Sequence, residues 1–470
     1  MTRVRRAGNL NHGPLCLRLV TFGVPLVLGM FFHSLFNLVD LIVVARLPGE
    51  LGPAALAAVN QASLLNFIPM LISTGVNNAS IAVISRNFGL RNYRRANANA
   101  LQSFLLLVFL AVALGWPSYA YARELNVFVG SSGAQIDPAT EYLEISSAGL
   151  FSMFALMQVT AVLRAGGNAR WPMILLVGAN VLNLLLAIAL VHGIWGFPRW
   201  EVAGAAWATV ISRALFAILG LFIITRRASP VRLILRRPWP RMRMIAQLAR
   251  IGIPSSLQFV VRVVVYGAIL GLVNEFGEGE AIQTALAVGF RLDMLAVFTG
   301  VGWGAAAAAM VGQGLGAGKI RRAMQAGWLA AAFDAILMSG IGFLYWSNPE
   351  WFIIFFSGED PVKRPEFAEP VRLCAEYLRV AVFAYPFAAI GLTLSQALNG
   401  AGSTKTPLVL DTIGFLLLQL PVAWFIVRWH DERGYTRPTL WWSLVAVTAL
   451  VSALYVAVWS RGHWKHKKIR

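Results

Sequence analysis

Charge is what this sequence has least of. Only 13% of its 470 residues are Asp, Glu, Lys or Arg, about half the share found in a soluble globular domain. With 58% hydrophobic residues and a mean hydropathy of +0.65, the chain cannot cover a water-exposed surface, which argues against a soluble enzyme. The same hydrophobicity excludes intrinsic disorder. Cysteine is nearly missing. Cys16 and Cys374 fall on opposite sides of the bilayer in the topology below, so they cannot pair, and no metal-type spacing occurs. The six histidines (12, 33, 192, 430, 463 and 466) form no His-x-x-x-His pair within an apolar run. No serine elbow or metalloprotease motif lies in the apolar segments, which leaves a membrane enzyme without a catalytic constellation. What remains is an all-α polytopic membrane protein.

A spanning helix needs about 20 mostly apolar residues. Apolar runs between polar or Gly/Pro breaks predict twelve: 19–45, 54–84, 96–121, 139–164, 171–195, 202–225, 250–274, 281–312, 323–347, 371–398, 406–428 and 439–460. The basic start, Met1 to Arg6, resembles the n-region of a signal peptide. The apolar run after it is too long and lacks a small-residue cleavage site, so it reads as an uncleaved first helix. With both termini cytoplasmic, the inner segments hold 27 basic residues and no acidic one. That distribution is the positive-inside pattern, and it accounts for the net charge of +19 without nucleic acid as a partner.

The loop 226–249, rich in arginine and proline, divides the chain into lobes 1–225 and 250–470. The two lobes repeat each other. Glu141-Tyr142-Leu143 through Gly167 and Pro172 recurs as Glu376-Tyr377-Leu378 through Gly402 and Pro407, an offset of 235. Gly89 with Arg94-Arg95-Ala96 recurs as Gly316 with Arg321-Arg322-Ala323, and Gly23-Val24-Pro25 as Gly252-Ile253-Pro254. Six helices per unit give both units one orientation, so an axis along the membrane normal relates them, a common plan for secondary transporters with a midplane site.

With Asn37-Leu-Val-Asp40 in the first helix, Val311-Gly-Gln-Gly-Leu-Gly316 after the eighth and Leu398-Asn-Gly-Ala-Gly-Ser-Thr-Lys-Thr-Pro407 after the tenth, the chain resembles the multidrug and toxic compound extrusion (MATE) transporters over about residues 20 to 460. The resemblance is closer to the DinF-like, proton-coupled type than to the vibrio-type, sodium-coupled branch. It implies two six-helix lobes around a central cleft, a monomer in a bacterial or archaeal cytoplasmic membrane, and antiport of organic, often cationic, compounds against protons or sodium. No cofactor or metal is expected beyond the coupling ion.

Ionisable side chains at membrane depth are costly and therefore functional candidates. His33, Asn37 and Asp40 share one face of helix 1. Asp40 falls where similar MATE proteins carry an N-lobe coupling aspartate, and a carboxylate among apolar helices can serve as a proton carrier. The competing role is a structural carboxylate bonded to helix ends. Asn180 and Asn183 share a face of helix 5; Asn183 and Thr209 match positions of the family's N-lobe cluster, where Ala187 replaces a further polar residue. In sodium-coupled relatives the position of Arg262 is a Glu, and that of Ala388 an Asp. A hard cation needs several oxygen ligands, so H+ is expected as the coupling ion over Na+.

Arg262 lies about 18 Å into helix 7, at a depth like that of Asp293 in helix 8. This predicts a buried ion pair between them, either structural or broken during transport. Asp334 is expected near mid-depth facing the cleft, Asp411 hydrated near the cytoplasmic end. Trp195, Trp200, Trp441 and Trp442 read as interfacial belt residues. The expected activity is proton-driven export of amphipathic organic compounds. The alternatives are sodium coupling and, because of Arg213, Arg262 and Arg291, the flipping of lipid-linked saccharides.

Overall fold

The computed structural model describes residues 8–45, 51–226, 231–234, 239–276, 279–357 and 365–467; within them the side chains at 35–42, 44–45, 51–56, 134, 279–280, 366 and 431 are outside the description. The chain is helical, and twelve spans follow in order: α1 Leu15–Ala45, α2 Leu51–Gly89, α3 Tyr93–Ala120, α4 Ile136–Ala148 with Leu150–Ala165, α5 Arg170–His192, α6 Glu201–Thr225, α7 Met242–Leu272, α8 Gly279–Gly316, α9 Ile320–Ser347, α10 Ala368–Ala381 with Tyr385–Gly400, α11 from Lys405 to Arg428, and α12 Arg437–Arg461. Among the described residues eleven are long and apolar enough to cross a bilayer unaided, and the two parts of α4 make the twelfth, bent by 48°. The spans expected at 139–164 and 371–398 are therefore interrupted. The first breaks at Gly149, where a side chain would collide with Val210 of α6. The second breaks at a 3-10 turn, Val382–Ala384.

The internal repeat is visible in the backbone. The offset of 235 that aligns α4 with α10 carries Gly149 onto Ala384, so both breaks occupy one repeat position. It also carries Gly167 onto Gly402, and both take the left-handed conformation, with φ of 78° and 79°. Only a residue without Cβ enters that region at no steric cost. Each then closes its helix alike: the N–H of Asn168 bonds the Leu163 carbonyl, and that of Ser403 the Leu398 carbonyl.

Helices α1–α6 form the N-lobe and α7–α12 the C-lobe. Where they meet, glycine and serine let backbones touch. Ser85, Arg86 and Gly89 of α2 cross Gly312, Gln313 and Gly316 of α8, a small-x-x-x-small stripe on each helix. On one side of that crossing Gly75 of α2 abuts Gly252 and Ser256 of α7; on the other, Gly302 of α8 abuts Val27 of α1 while Gly23 abuts Trp303. These two seams are repeat equivalents, so α1 and α7 each lie against the opposite lobe. All of these contacts are in the cytoplasmic halves of the helices.

Below the crossing, the segment from Gly8 to Gly13 runs across the lobes as a strap. Gln313, fully buried, ties it down: its Oε1 accepts from the Leu10 N–H at 3.1 Å, its Nε2 donates to the Ala165 carbonyl at 3.0 Å, and its own carbonyl accepts from Asn11 Nδ2. Lys319 donates to the Asn11 carbonyl and Arg322 to that of Gly13. One expected belt residue is misplaced: Trp441 is buried, its ring edge-to-face with Tyr377, whereas Trp195, Trp200 and Trp442 are exposed. Its position at the start of α12 set its depth, but the turn of the helix aims it at α10.

Candidate polar sites within the two lobes

In the N-lobe, α1, α4, α5 and α6 surround a cavity of about 30 Å3, room for roughly two waters. His33, Asn180, Asn183, Thr209, Ser212 and Arg213 supply its polar lining, and Leu156, Leu176 and Ala179 its apolar wall. His33 Nδ1 and Asn180 Nδ2 are 3.3 Å apart. Thr209 donates its hydroxyl to the Ala205 carbonyl one turn back, so its oxygen is left as an acceptor. The structure thus brings together four of the six residues singled out in this lobe: His33, Asn180, Asn183 and Thr209. Asn37 and Asp40 belong to α1, but their side chains lie outside the described residues. Arg213 joins the group from α6.

The C-lobe arrangement differs from the sequence expectation. Arg262 does not pair with Asp293. Its Nε donates to Asp411 Oδ2 at 2.7 Å. Depth along the membrane normal is similar for Asp293 and Arg262, but α7 turns this face toward α11. Asp411, expected to be hydrated, is fully buried, because α7, α10 and α12 close around it. Gln258 Nε2 donates to the same oxygen at 2.8 Å, and the Tyr455 hydroxyl to the other at 2.7 Å. Gln258 also donates to Ser395, and accepts from Asn399. Directly after Asp411 the helix widens into a π-helix, Thr412–Gln419, a form that recurs at functional sites. It places the Phe415 ring under the Arg262 guanidinium.

Asp293 turns instead into α10, its two oxygens accepting from the hydroxyls of Tyr377 at 2.5 Å and Tyr385 at 2.7 Å. Asp334, expected to face the cleft, is fully buried and accepts from Thr393 at 2.6 Å; its other oxygen, against Gly300, has no polar partner among the described residues. Of the C-lobe residues, Gln258, Tyr455, Ser395 and Asn399 were not anticipated. One signal was available: Ser255, Gln258, Arg262 and Tyr266 make a polar stripe at helical spacing in α7. The offset of 229 that aligns Gly23 with Gly252 also carries His33 onto Arg262, so the basic members of the two sites are repeat equivalents.

Among known proteins, the MatE family model matches residues 25–189 and 254–425. The chain is 26% identical to the "Probable multidrug resistance protein YpnP" of Bacillus subtilis, over 99% of each chain. It is 24% identical to the "Probable multidrug resistance protein NorM" of Thermotoga maritima, over 96% of this chain and 93% of the other. A solved transporter of Pyrococcus furiosus, described as a MOP superfamily member whose binding pocket has reverse polarity, superposes with a TM-score of 0.89 at 20% identity, covering all of both chains. A multidrug resistance MATE transporter in its outward-facing conformation superposes at 0.86 with 21% identity, over 98% of each. These likenesses between structures concern the fold.

Proposed function

Because the chain belongs to the MatE family, we propose that it exports amphipathic organic compounds across a cytoplasmic membrane in exchange for protons, as a single chain whose lobes rock about their shared seam. The observation that carries this reading is the placement of the lobe contacts. They join the cytoplasmic halves through small residues and single hydrogen bonds, while a polar cluster lies at mid-depth in each lobe. A molecule entering from outside would meet both clusters before the seam, and separating the seam would expose them to the inside.

Protons are favoured over sodium by side-chain chemistry. A hard cation is held by six or so oxygens, whereas the N-lobe cavity offers an imidazole, two amides and hydroxyls, with Ala187 on the same helix. In the C-lobe the position that would extend an oxygen set is the cation Arg262. Asp40 on α1 is proposed as the proton carrier. One proton falling through ~100 mV supplies about 2.3 kcal/mol, enough to bias two conformations of similar energy.

The test is dye uptake into proteoliposomes with an imposed pH gradient, using cationic rhodamine 6G and anionic carboxyfluorescein, which share a xanthene core. The expected result is gradient-dependent, sodium-independent uptake of at least one dye, lost in Asp40→Asn. Full activity in that variant removes Asp40 from the mechanism; uptake that needs sodium removes the proton. The three intramembrane arginines favour a second reading, flipping of lipid-linked saccharides, for which neither dye would move while a pyrophosphate-linked lipid would.

A further inference from the structure

The charges that face the cleft in the C-lobe are positive. Arg262 lies seven residues after Ser255, on the same line of α7, and Ser255 accepts a hydrogen bond from Asn78 of the N-lobe. Two turns farther out the Arg262 side chain is 26% exposed while its partner Asp411 is fully covered. On α8 the exposed residues Gln283, Thr284, Ala287, Arg291 and Met294 form one stripe. It runs down to Phe298, whose ring meets His33 across the lobe boundary. Arg291 therefore lines the cleft too, and among the described residues it has no ion-pair partner.

The two arginines are on helices that pack together at this level. Tyr266, one turn beyond Arg262, packs its ring against Phe290, next to Arg291, with centroids 3.9 Å apart. Arg262 and Arg291 lie about 15 and 18 Å below the outer ends of their helices at the rise of an α-helix. The three aspartates within the C-lobe spans are engaged elsewhere. Asp334 and Asp411 are fully buried, and Asp293 gives both oxygens to tyrosines of α10. Among the described residues at this depth, a cation would meet two guanidinium groups and no free carboxylate of this lobe, whereas an anion would meet two fork-shaped donors.

We infer that the C-lobe wall of the cleft, through Arg262 and Arg291, binds an anionic group, a carboxylate or phosphate, carried by an organic molecule. Guanidinium matches both groups in a two-pronged fashion, and a wall with low-dielectric surroundings focuses its field on the ligand. This deepens the proposed function by naming the charge of its substrate, and rests on the cleft being the substrate path.

The test is equilibrium binding to the full-length protein in detergent, read by fluorescence polarisation of carboxyfluorescein and rhodamine 6G. The wild type is expected to hold the anionic dye at least ten-fold more tightly than the cationic one. Arg291→Gln, which disturbs no ion pair among the described residues, should weaken the anionic dye ten-fold or more and leave the cationic dye unchanged. Arg262→Gln alone strands Asp411, so the double variant Arg262→Gln/Asp411→Asn is used for that position, with the same expected loss. Inorganic phosphate and short-chain phosphatidate serve as competitors: displacement by phosphatidate alone identifies a lipid headgroup, displacement by both a general anion site. Equal binding of the two dyes, or anionic-dye binding untouched by Arg291→Gln, overturns the inference. Dye uptake driven by a pH gradient would still support the transport proposal in that case; conversely, anion binding without gradient-driven uptake would retain the site and remove the coupling.

Discussion

Two buried aspartates of the C-lobe have opposite prospects under mutation, and their partners say why. Asp411 is held by a guanidinium, an amide and a phenol. Removing one member of a buried ion pair typically costs 3–5 kcal/mol, largely through the charge left behind. Arg262→Gln should therefore destabilise by about 3–5 kcal/mol, and Asp411→Asn by less, because Arg262 keeps partial exposure to the cleft. The double variant should recover most of the loss, a coupling that thermal unfolding midpoints in detergent would reveal as non-additivity. Additive single effects would mean that the pair contributes nothing specific. Asp334 has one hydroxyl donor and an oxygen facing glycine. A neutral amide of the same shape is cheaper to bury there, so Asp334→Asn should be neutral or raise the midpoint; a large drop would show that the charge itself is needed.

At the scale of helices, the arrangement depends on close approach. Gly75 and Gly302, equivalent in the repeat, let α2 meet α7 and α8 meet α1 without intervening side chains. Gly75→Leu would insert four carbons where there is room for none, and the least costly response is to part the cytoplasmic seam. In a background lacking Cys16 and Cys374, a cysteine placed at Ser255, now buried against α2, should react several-fold faster with an impermeant maleimide in inverted vesicles once Gly75→Leu is added. An unchanged rate would mean that the seam yields elsewhere. Legibility also divides at this scale. The repeat of Gly167 at Gly402 is legible in the sequence, and the structure makes the pair two equivalent turns because positive φ favours glycine. The breaks at Gly149 and Val382–Ala384 were not legible, since hydropathy reports that a segment is apolar and not whether it is straight.

For the whole molecule, the strap from Gly8 to Gly13 joins both lobes at the inner face through Gln313. On the proposed rocking of the lobes, an inward opening would break those bonds, so they would stabilise the outward-open state alone. Gln313→Ala is expected to favour the inward-open state. Spin labels on the outer ends of α5 and α9 should then report a larger share of short distances by pulsed electron resonance. A distribution identical to wild type would assign the strap a purely local role.

Hydropathy and charge vary along the bilayer normal, so one dimension of this protein could be read directly: twelve spans and the duplicated half. Shared motifs added the family. The azimuth of each helix is a different quantity, set by ridges and glycines meeting on neighbouring helices. It decided that Arg262 meets Asp411 and not the equally deep Asp293, that Asp334 is hidden, and that Trp441 packs inward. It also left Arg262 partly exposed and Arg291 exposed. Composition fixes how many charges a membrane protein must shelter, and only packing chooses which of them its cavity shows.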